Sequence, residues 1–318
     1  MKSGLARYGL SFNPYELALD PLEDDNHADW LVRVDGFSEL DRIDAYIKKH
    51  ASDKRPLFFM VAGKGGSGRT SVAKFIMSRY RQHRGIDRRQ FLPVIREAEN
   101  HDEFYFFQNW LIDLYYALDS LEIKPTLPKN LTPEEINKAL PGTMRASFHG
   151  LMMQFNRVMS TATQAGQPAA WFGCFVDNVR TLAYVDAAEQ IFKDTGTVCV
   201  FTAGDYKETE DTVIKPFIAA FGEETLIKLS DLSGGQVKEL VNRRWELVSK
   251  EEIPFDLAGI ETTFEARARS IGRVLEIFSK LIAVKVPEEV EGPLWPTAAE
   301  LKHDIKDLQH YLRLFDRY

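Results

Sequence analysis

The sequence predicts a three-layer α/β fold built on a parallel sheet, followed by a small all-helical domain. Three observations carry that prediction. Continuous apolar runs at 57–62, 171–176 and 197–201 have the character of strands buried on both faces. Helical-period segments alternate with these runs, as in right-handed βαβ crossovers. Beyond Leu229 the strands stop and only helical periodicity remains.

The 318 residues suffice for one large α/β domain and a smaller helical one. Hydrophobic residues make up 44% and charged residues 27%, the balance of a soluble globular protein. A net charge of −7 argues against a generic polyanion binder and leaves room for a local basic strip. Cys174 and Cys199 sit inside apolar runs and read as buried small hydrophobes in a reducing compartment. Residues 1–10 lack the apolar core of a signal peptide, and there is no run of about 18 apolar residues to cross a membrane. A cytoplasmic protein with no membrane partner is expected.

Residues 1–56 are a lead-in with turn signals at Asn13-Pro14 and Asp20-Pro21, ending in a helix over 38–50. Ser38 is its expected N-cap, and Leu40, Ile43 and Ile47 recur at helical spacing. The core, 57–230, opens on the strand 57–62 and a helix over 70–84. An edge strand at 91–95, marked by Pro93, and a helix over 103–121 follow. An exposed proline-rich excursion covers 122–142, then come a helix over 146–165 and a strand at 171–176 closing on Asp177. A helix over 179–193 and a strand at 197–201 complete the alternation. Within 231–287, Val237, Leu240, Val241, Trp245 and Val248 share one helical face, and 264–282 gives a second helix of this lid-sized domain. In the tail, 288–318, Leu301, Ile305, Leu308, Leu312 and Phe315 step by four and three, a helix expected to dock on its own domain.

Gly63-Lys64-Gly65-Gly66-Ser67-Gly68-Arg69-Thr70 lies between a buried strand and a helix. It meets the pattern G-x-x-x-x-G-K-[ST] at every fixed position but one, where Arg69 replaces lysine. A chain that wraps a triphosphate turns its amide hydrogens inward, which needs dihedrals only glycine adopts cheaply. The helix that follows aims its positive N-terminal end at the anion. ATP binding by residues 63–70 and Ser71 is therefore expected, with the Thr70 hydroxyl on magnesium. Arginine is bulkier than the flexible point charge it replaces, so altered or slow hydrolysis is expected. Asp177, closing an apolar strand, has the position of the second magnesium-holding acid, with a helix N-cap as the alternative.

In this order the features resemble the AAA+ superfamily over about residues 34–283, most similar to the branch joining origin-recognition, transposition-regulator and STAND-type ATPases. Val34 to Ile43 resembles that branch's G-R-x-x-E-L opening helix, which packs near the adenine, with Phe37 where arginine is common. The resemblance makes Thr202 a first sensor of the γ-phosphate, a role a turn-forming threonine explains nearly as well. It also makes Arg273, in Ser270-Ile271-Gly272-Arg273-Val274-Leu275, a second sensor able to swing onto the nucleotide, with a solvated surface arginine as the rival account. The glutamate that usually follows the Walker B acid is replaced by Asn178, which cannot act as a base. Asp177 follows Gly63 by 114 residues, longer than a compact core needs. Between Arg180 and Arg243 there is no arginine, so a trans-acting finger must come from a partner or from a segment such as Arg243 or Arg244. Lys64 resembles the early lysine of the ParA/MinD group, which reaches across a dimer, but 56 residues precede the first strand here. Leu232 to Gln236 spells the ABC-transporter signature, yet it lies downstream of Asp177 and reads as a hinge.

The resemblance implies a nucleotide-gated switch or assembly factor with weak or absent hydrolysis. It would be homo-oligomeric and work with a separate effector, as in bacterial defence or mobile-element systems. The alternative is a DNA-stimulated ATPase polymerising on duplex DNA, for which Arg79, Arg81, Arg84, Arg88 and Arg89, with Lys124 and Lys129, would form the basic strip. A scaffold with an empty site is the third class.

Overall fold

The run Leu57–Ala62 forms β1, and each of its six residues is buried. Fully burying a large apolar side chain contributes roughly 1.5–3 kcal/mol, which makes β1 the anchor of the sheet. The computed structural model describes residues 5, 10, 12–16, 19–98, 102–120, 132–139, 143–164, 170–266, 268–285 and 308–310. Among them, β1 pairs in parallel with β4 (Val198–Ala203) and β5 (Leu226–Lys228), and β3 (Trp171–Val179) joins β4 to β2 (Phe91–Glu97). The order is β2-β3-β4-β1-β5, with the Pro93 strand at an edge as expected.

Helices cover both faces. The helices are α1 (Asn26–Asp29), α2 (Leu40–His50), α3 (Arg69–His83), α4 (Glu103–Ser120), α5 (Pro133–Ile136), α6 (Met144–Gln164), α7 (Ala183–Phe192), α8 (Tyr206–Thr209) and α9 (Lys215–Phe221). Alternation along β1 divides the core. Leu57, Phe59 and Val61 pack with α2 and α3, whereas Phe58, Met60 and Ala62 pack with α4, α6, α7 and α9. Cys174 and Cys199 are free, buried and opposite one another on β3 and β4. The lid consists of α10 (Gly234–Glu246), α11 (Leu257–Glu265) and α12 (Ile271–Lys285), closed round Trp245 and Phe278. No described helix is long and apolar enough to cross a membrane.

Several expectations are corrected. Ser38 does not cap α2: a 3-10 turn, Asp35–Glu39, runs into the helix, and the Ser38 hydroxyl donates to the Asp35 carbonyl at 2.7 Å. β3 continues through Asp177 to Val179, so the next helix starts four residues later, at Ala183. The segment 264–282 is two helices, broken where Arg269 bridges to Leu232. β5 and α9 carry the sheet past the fourth predicted strand. Most of 122–142 lies outside the described residues, but Ile136 within it is fully buried in the core, against the expected exposure. Of the tail stripe only Leu308 is described, and it docks into the lid core; Leu301, Ile305, Leu312 and Phe315 lie outside the described residues.

The lead-in is a strap across both units. Tyr15 donates its hydroxyl to the Val241 carbonyl of the lid at 3.0 Å, and Asn13 bonds the Ser279 hydroxyl at 3.2 Å. Farther along, Asp20, Glu23, Asp25 and Asp29 pair with Lys74, Arg88, Arg81 and Arg79 on and beyond α3.

Candidate nucleotide-binding site

At the carboxyl end of β1 the chain turns into α3 through glycine. Gly63 donates to the carbonyls of Ala203 and Gly204 at 3.3 and 3.1 Å, which ties the turn to the end of β4. A Cβ on Gly63 would stand 2.5 Å from the Ser67 hydroxyl. Gly66 and Gly68 have φ of +75° and +92°, left-handed backbone that glycine adopts without strain. Among the described residues, the amides of Gly65, Gly66, Gly68, Arg69 and Thr70 meet no protein acceptor. The buried Ser67 hydroxyl likewise has no partner. Convergent amides at a helix N-terminus and an orphaned buried hydroxyl are a donor set that fits a polyphosphate.

Arg69 reaches away from the loop. Its Nη1 donates to the Ala203 carbonyl at 2.7 Å, the same oxygen that receives the Gly63 amide. One residue back on β4, the fully buried Thr202 donates its hydroxyl to the Asp177 carboxylate, and the Asn178 amide donates to Thr202 Oγ1 at 2.8 Å. The pairing of β3 and β4 shifts between Val176 and Val179, and Asn178 has φ of +62°. This irregularity turns Asp177 toward Thr202. The ends of β1, β3 and β4 thus gather Gly63, Asp177, Asn178, Thr202 and, through Ala203, Arg69.

Two predicted residues lie elsewhere. Lys64 is exposed and ion-paired with Asp231 at 3.2 Å and Asp205 at 3.8 Å, and the Asp231 hydrogen bond raises its pKa. Arg273 donates to Glu276 at 2.7 Å on its own helix. Hydrogen bonds from Lys280 and then Arg273 hold the Glu276 carboxyl below its ordinary pKa.

A cavity of about 320 Å³ opens beside the loop. Gly66, Gly68, Arg69, Thr70 and Ser71 of the loop line it, and Thr70 is exposed. Leu19, Leu31, Val32 and Phe37 of the lead-in, with Leu240, Arg244, Ile271 and Leu275 of the lid, line the rest. Phe37 sits against Gly68, where a Cβ would lie 2.7 Å from its ring. The lid touches the loop directly. The Gly272 amide donates to the Gly66 carbonyl at 2.8 Å, and Ser270 faces Gly66. Sequence reasoning missed most of the apolar wall, because residues so far apart carry no shared signal. Of the sources open for a trans-acting finger, a partner or a segment such as Arg243 or Arg244, Arg244 is buried in its own chain and Arg243 pairs with Glu246 at 3.0 Å.

A five-stranded parallel sheet in this order, a glycine turn after β1 and a helical lid make up a fold similar to that of solved origin-recognition proteins. Similar solved structures include Drosophila ORC bound to DNA, with 14% identity and a TM-score of 0.53, covering 98% of this chain and 65% of that one. The Aeropyrum pernix ORC2 protein in ADPNP-ADP complexes has 9% identity and a TM-score of 0.55, with 89% and 68% covered. Aeropyrum pernix ORC1 in complex with DNA has 10% identity and a TM-score of 0.53, with 94% and 69% covered. This chain therefore spans only 65% of the length of the Drosophila chain it matches. No family model matches the sequence, and no curated protein matches it.

Proposed function

We propose that the chain binds ATP in this cleft and acts as a nucleotide-gated switch or assembly factor with weak or absent hydrolysis. The bond from the Gly272 amide to the Gly66 carbonyl carries the reading. A loop that curls round a polyphosphate fixes the place of that carbonyl, so loop occupancy and lid angle are linked through this contact. A switch needs differential affinity between two lid positions rather than turnover. Thr70 and Asp177 would hold magnesium, which neutralises phosphate charge when bound. Arg69 in place of lysine and Asn178 in place of glutamate support slow hydrolysis. The ORC2 structure with similar fold is a nucleotide complex, which supports ATP as the ligand. The output is a homo-oligomeric assembly in the cytoplasm that acts on a separate effector chain.

The alternative, polymerisation on duplex DNA, draws support from the two DNA-bound structures of similar fold. The expected basic strip weighs against it. Arg79, Arg81 and Arg88 pair with Asp29, Asp25 and Glu23, and Arg84 donates to the Ala51 carbonyl and lies over Trp171. Lys124 and Lys129 lie outside the described residues.

Size-exclusion with light scattering tests both readings, with no nucleotide, ADP, ATP or a non-hydrolysable analogue, each with and without duplex DNA. The switch predicts an ATP-dependent mass that Arg69→Ala and Asp177→Ala abolish. A mass that never changes sinks it, and a change seen only with DNA favours the alternative.

A further inference from the structure

Asp177 is engaged by Thr202, and Asn178 beside it has no basic group to take a proton from water. The neighbouring strand supplies a carboxylate. Glu97 pairs in register with Asp177, and the Ala98 amide donates to the Asp177 carbonyl at 2.6 Å, so the β2-β3 ladder runs unbroken past both acids. Residues paired in this way point to the same face of the sheet. Phe91 and Phe175, which share the alternation of Glu97 and Asp177, identify that face, since they pack in one core cluster with Val72, Phe75 and Ile76 of α3. α3 begins at the carboxyl end of β1, and both acids lie at the carboxyl ends of their strands. Glu97, Asp177 and the first turn of α3 therefore share one face and one end of the sheet.

Glu97 is exposed, and its side chain makes no hydrogen bond or ion pair among the described residues. Its neighbour Arg96 turns to the opposite face, where Asp113 of α4 holds it. Paired strands lie about 4.8 Å apart, and glutamate carries one methylene more than aspartate, so Glu97 can reach water beside the Asp177 carboxylate. Resting on the reading of the cleft as an ATP site, we infer that Glu97 is the general base of a slow hydrolysis, supplied from β2 for a role Asn178 cannot fill. In that step the water oxygen forms a bond to the γ-phosphorus. The bond from that phosphorus to the bridging oxygen breaks, and its electron pair leaves with ADP. Glu97 takes the proton from the water and passes it to solvent. β2 lies one strand farther from β1 than β3 does, and Arg69 is held on the Ala203 carbonyl; both keep the step slow. This slow release is the wild-type background.

A single-turnover assay with magnesium and ATP, protein in excess, reads the conversion of bound ATP to ADP, and calorimetry reads binding. Glu97→Gln is expected to bind ATP as tightly as wild type and to slow conversion by about a hundredfold, the low end of what a general base contributes. Glu97→Ala should lose conversion likewise and regain part of it with added formate, a small carboxylate that can stand beside the attacking water. A merely structural role would not respond to formate. Because Glu97 is exposed, both variants are expected to melt as wild type does. Conversion by Glu97→Gln at the wild-type rate, a loss traced wholly to weaker ATP binding, or no rescue by formate overturns the inference while the nucleotide reading stands. Wild-type protein that binds ATP and converts none does the same. Wild-type protein that binds no ATP overturns both.

Discussion

The buried hydroxyl of Thr202 donates a hydrogen bond to the carboxylate of Asp177 and accepts one from the Asn178 backbone amide at 2.8 Å, so one side chain closes β3 onto β4 at the candidate site. Thr202→Val is nearly isosteric and removes both bonds. It leaves a backbone donor and a carboxylate oxygen without their partner, at a cost of about 1–3 kcal/mol. The expected result is a lower urea midpoint at unchanged slope and loss of the ATP-dependent mass. Thr202→Ser keeps both bonds and should restore most of each.

Asn178 has a backbone reason for its identity. At φ of +62° it occupies left-handed space, which asparagine tolerates and glutamate does not. Asn178→Glu is therefore expected to lose roughly 1–2 kcal/mol, without phosphate release above background. Asn178→Gly should match the wild-type melting temperature or exceed it. A glutamate variant that melts as wild type and turns over ATP would show that Asn178 is a catalytic loss only.

The contact between lid and loop admits only hydrogen at Gly272. A Cβ there would lie 2.9 Å from the Gly66 carbonyl oxygen, a backbone atom that cannot swing aside. Gly272→Ala favours the helix and forbids the contact, so it should open the lid at a cost of about 1–3 kcal/mol. Small-angle scattering is expected to give a larger radius without nucleotide. An unchanged radius and an unchanged ATP-induced melting shift would mean the contact does not set the lid angle.

Much of this architecture was legible because it obeys one-dimensional rules. β1, β3 and β4 are apolar runs, and the glycine turn announces itself by spacing. What stayed hidden is set by distant partners. β5 is three residues long with Lys228 exposed, and only pairing with β1 makes it a strand. Three of the arginines that resemble a nucleic-acid strip, Arg79, Arg81 and Arg88, pair with acids 50 to 65 positions earlier in the chain. Arg69 follows the loop pattern, yet its contact with Ala203 depends on β4 lying beside β1. The acid pattern placed Asp177, but the shifted register that turns it toward Thr202 has no sequence signal apart from Asn178.

Arg273 is held by Glu276, and the hold is titratable. Because Lys280 and Arg273 depress the Glu276 pKa, the stabilisation is present above the ordinary value of 4.5 and is lost as pH falls through the lower folded value. At neutral pH the pair is intact. Glu276→Gln removes the charge at pH 7 and weakens the hold on Arg273. If Arg273 is a second sensor, ATP should then bind more tightly and ADP should be unchanged. Equal affinities before and after, by calorimetry, would assign Arg273 to the helix surface.

The strap offers a test of coupling between lid and core. At the lid end Tyr15 bonds the Val241 carbonyl; at the core end Asp25 pairs with Arg81, whose side chain is almost wholly buried. Tyr15→Phe should cost about 1 kcal/mol and Asp25→Ala about 1–3 kcal/mol, the latter because a buried guanidinium loses its acid. The two residues share no partner, and substitutions at separate sites normally add within about 0.5 kcal/mol. A strap that acts as one unit breaks that rule, since releasing either end makes the other end's contact less valuable. The double variant is therefore expected to be more stable than the sum of the single losses allows, by more than about 0.5 kcal/mol. Strict additivity in urea unfolding would make the lead-in two independent patches, and the lid angle would then rest on the loop contact alone.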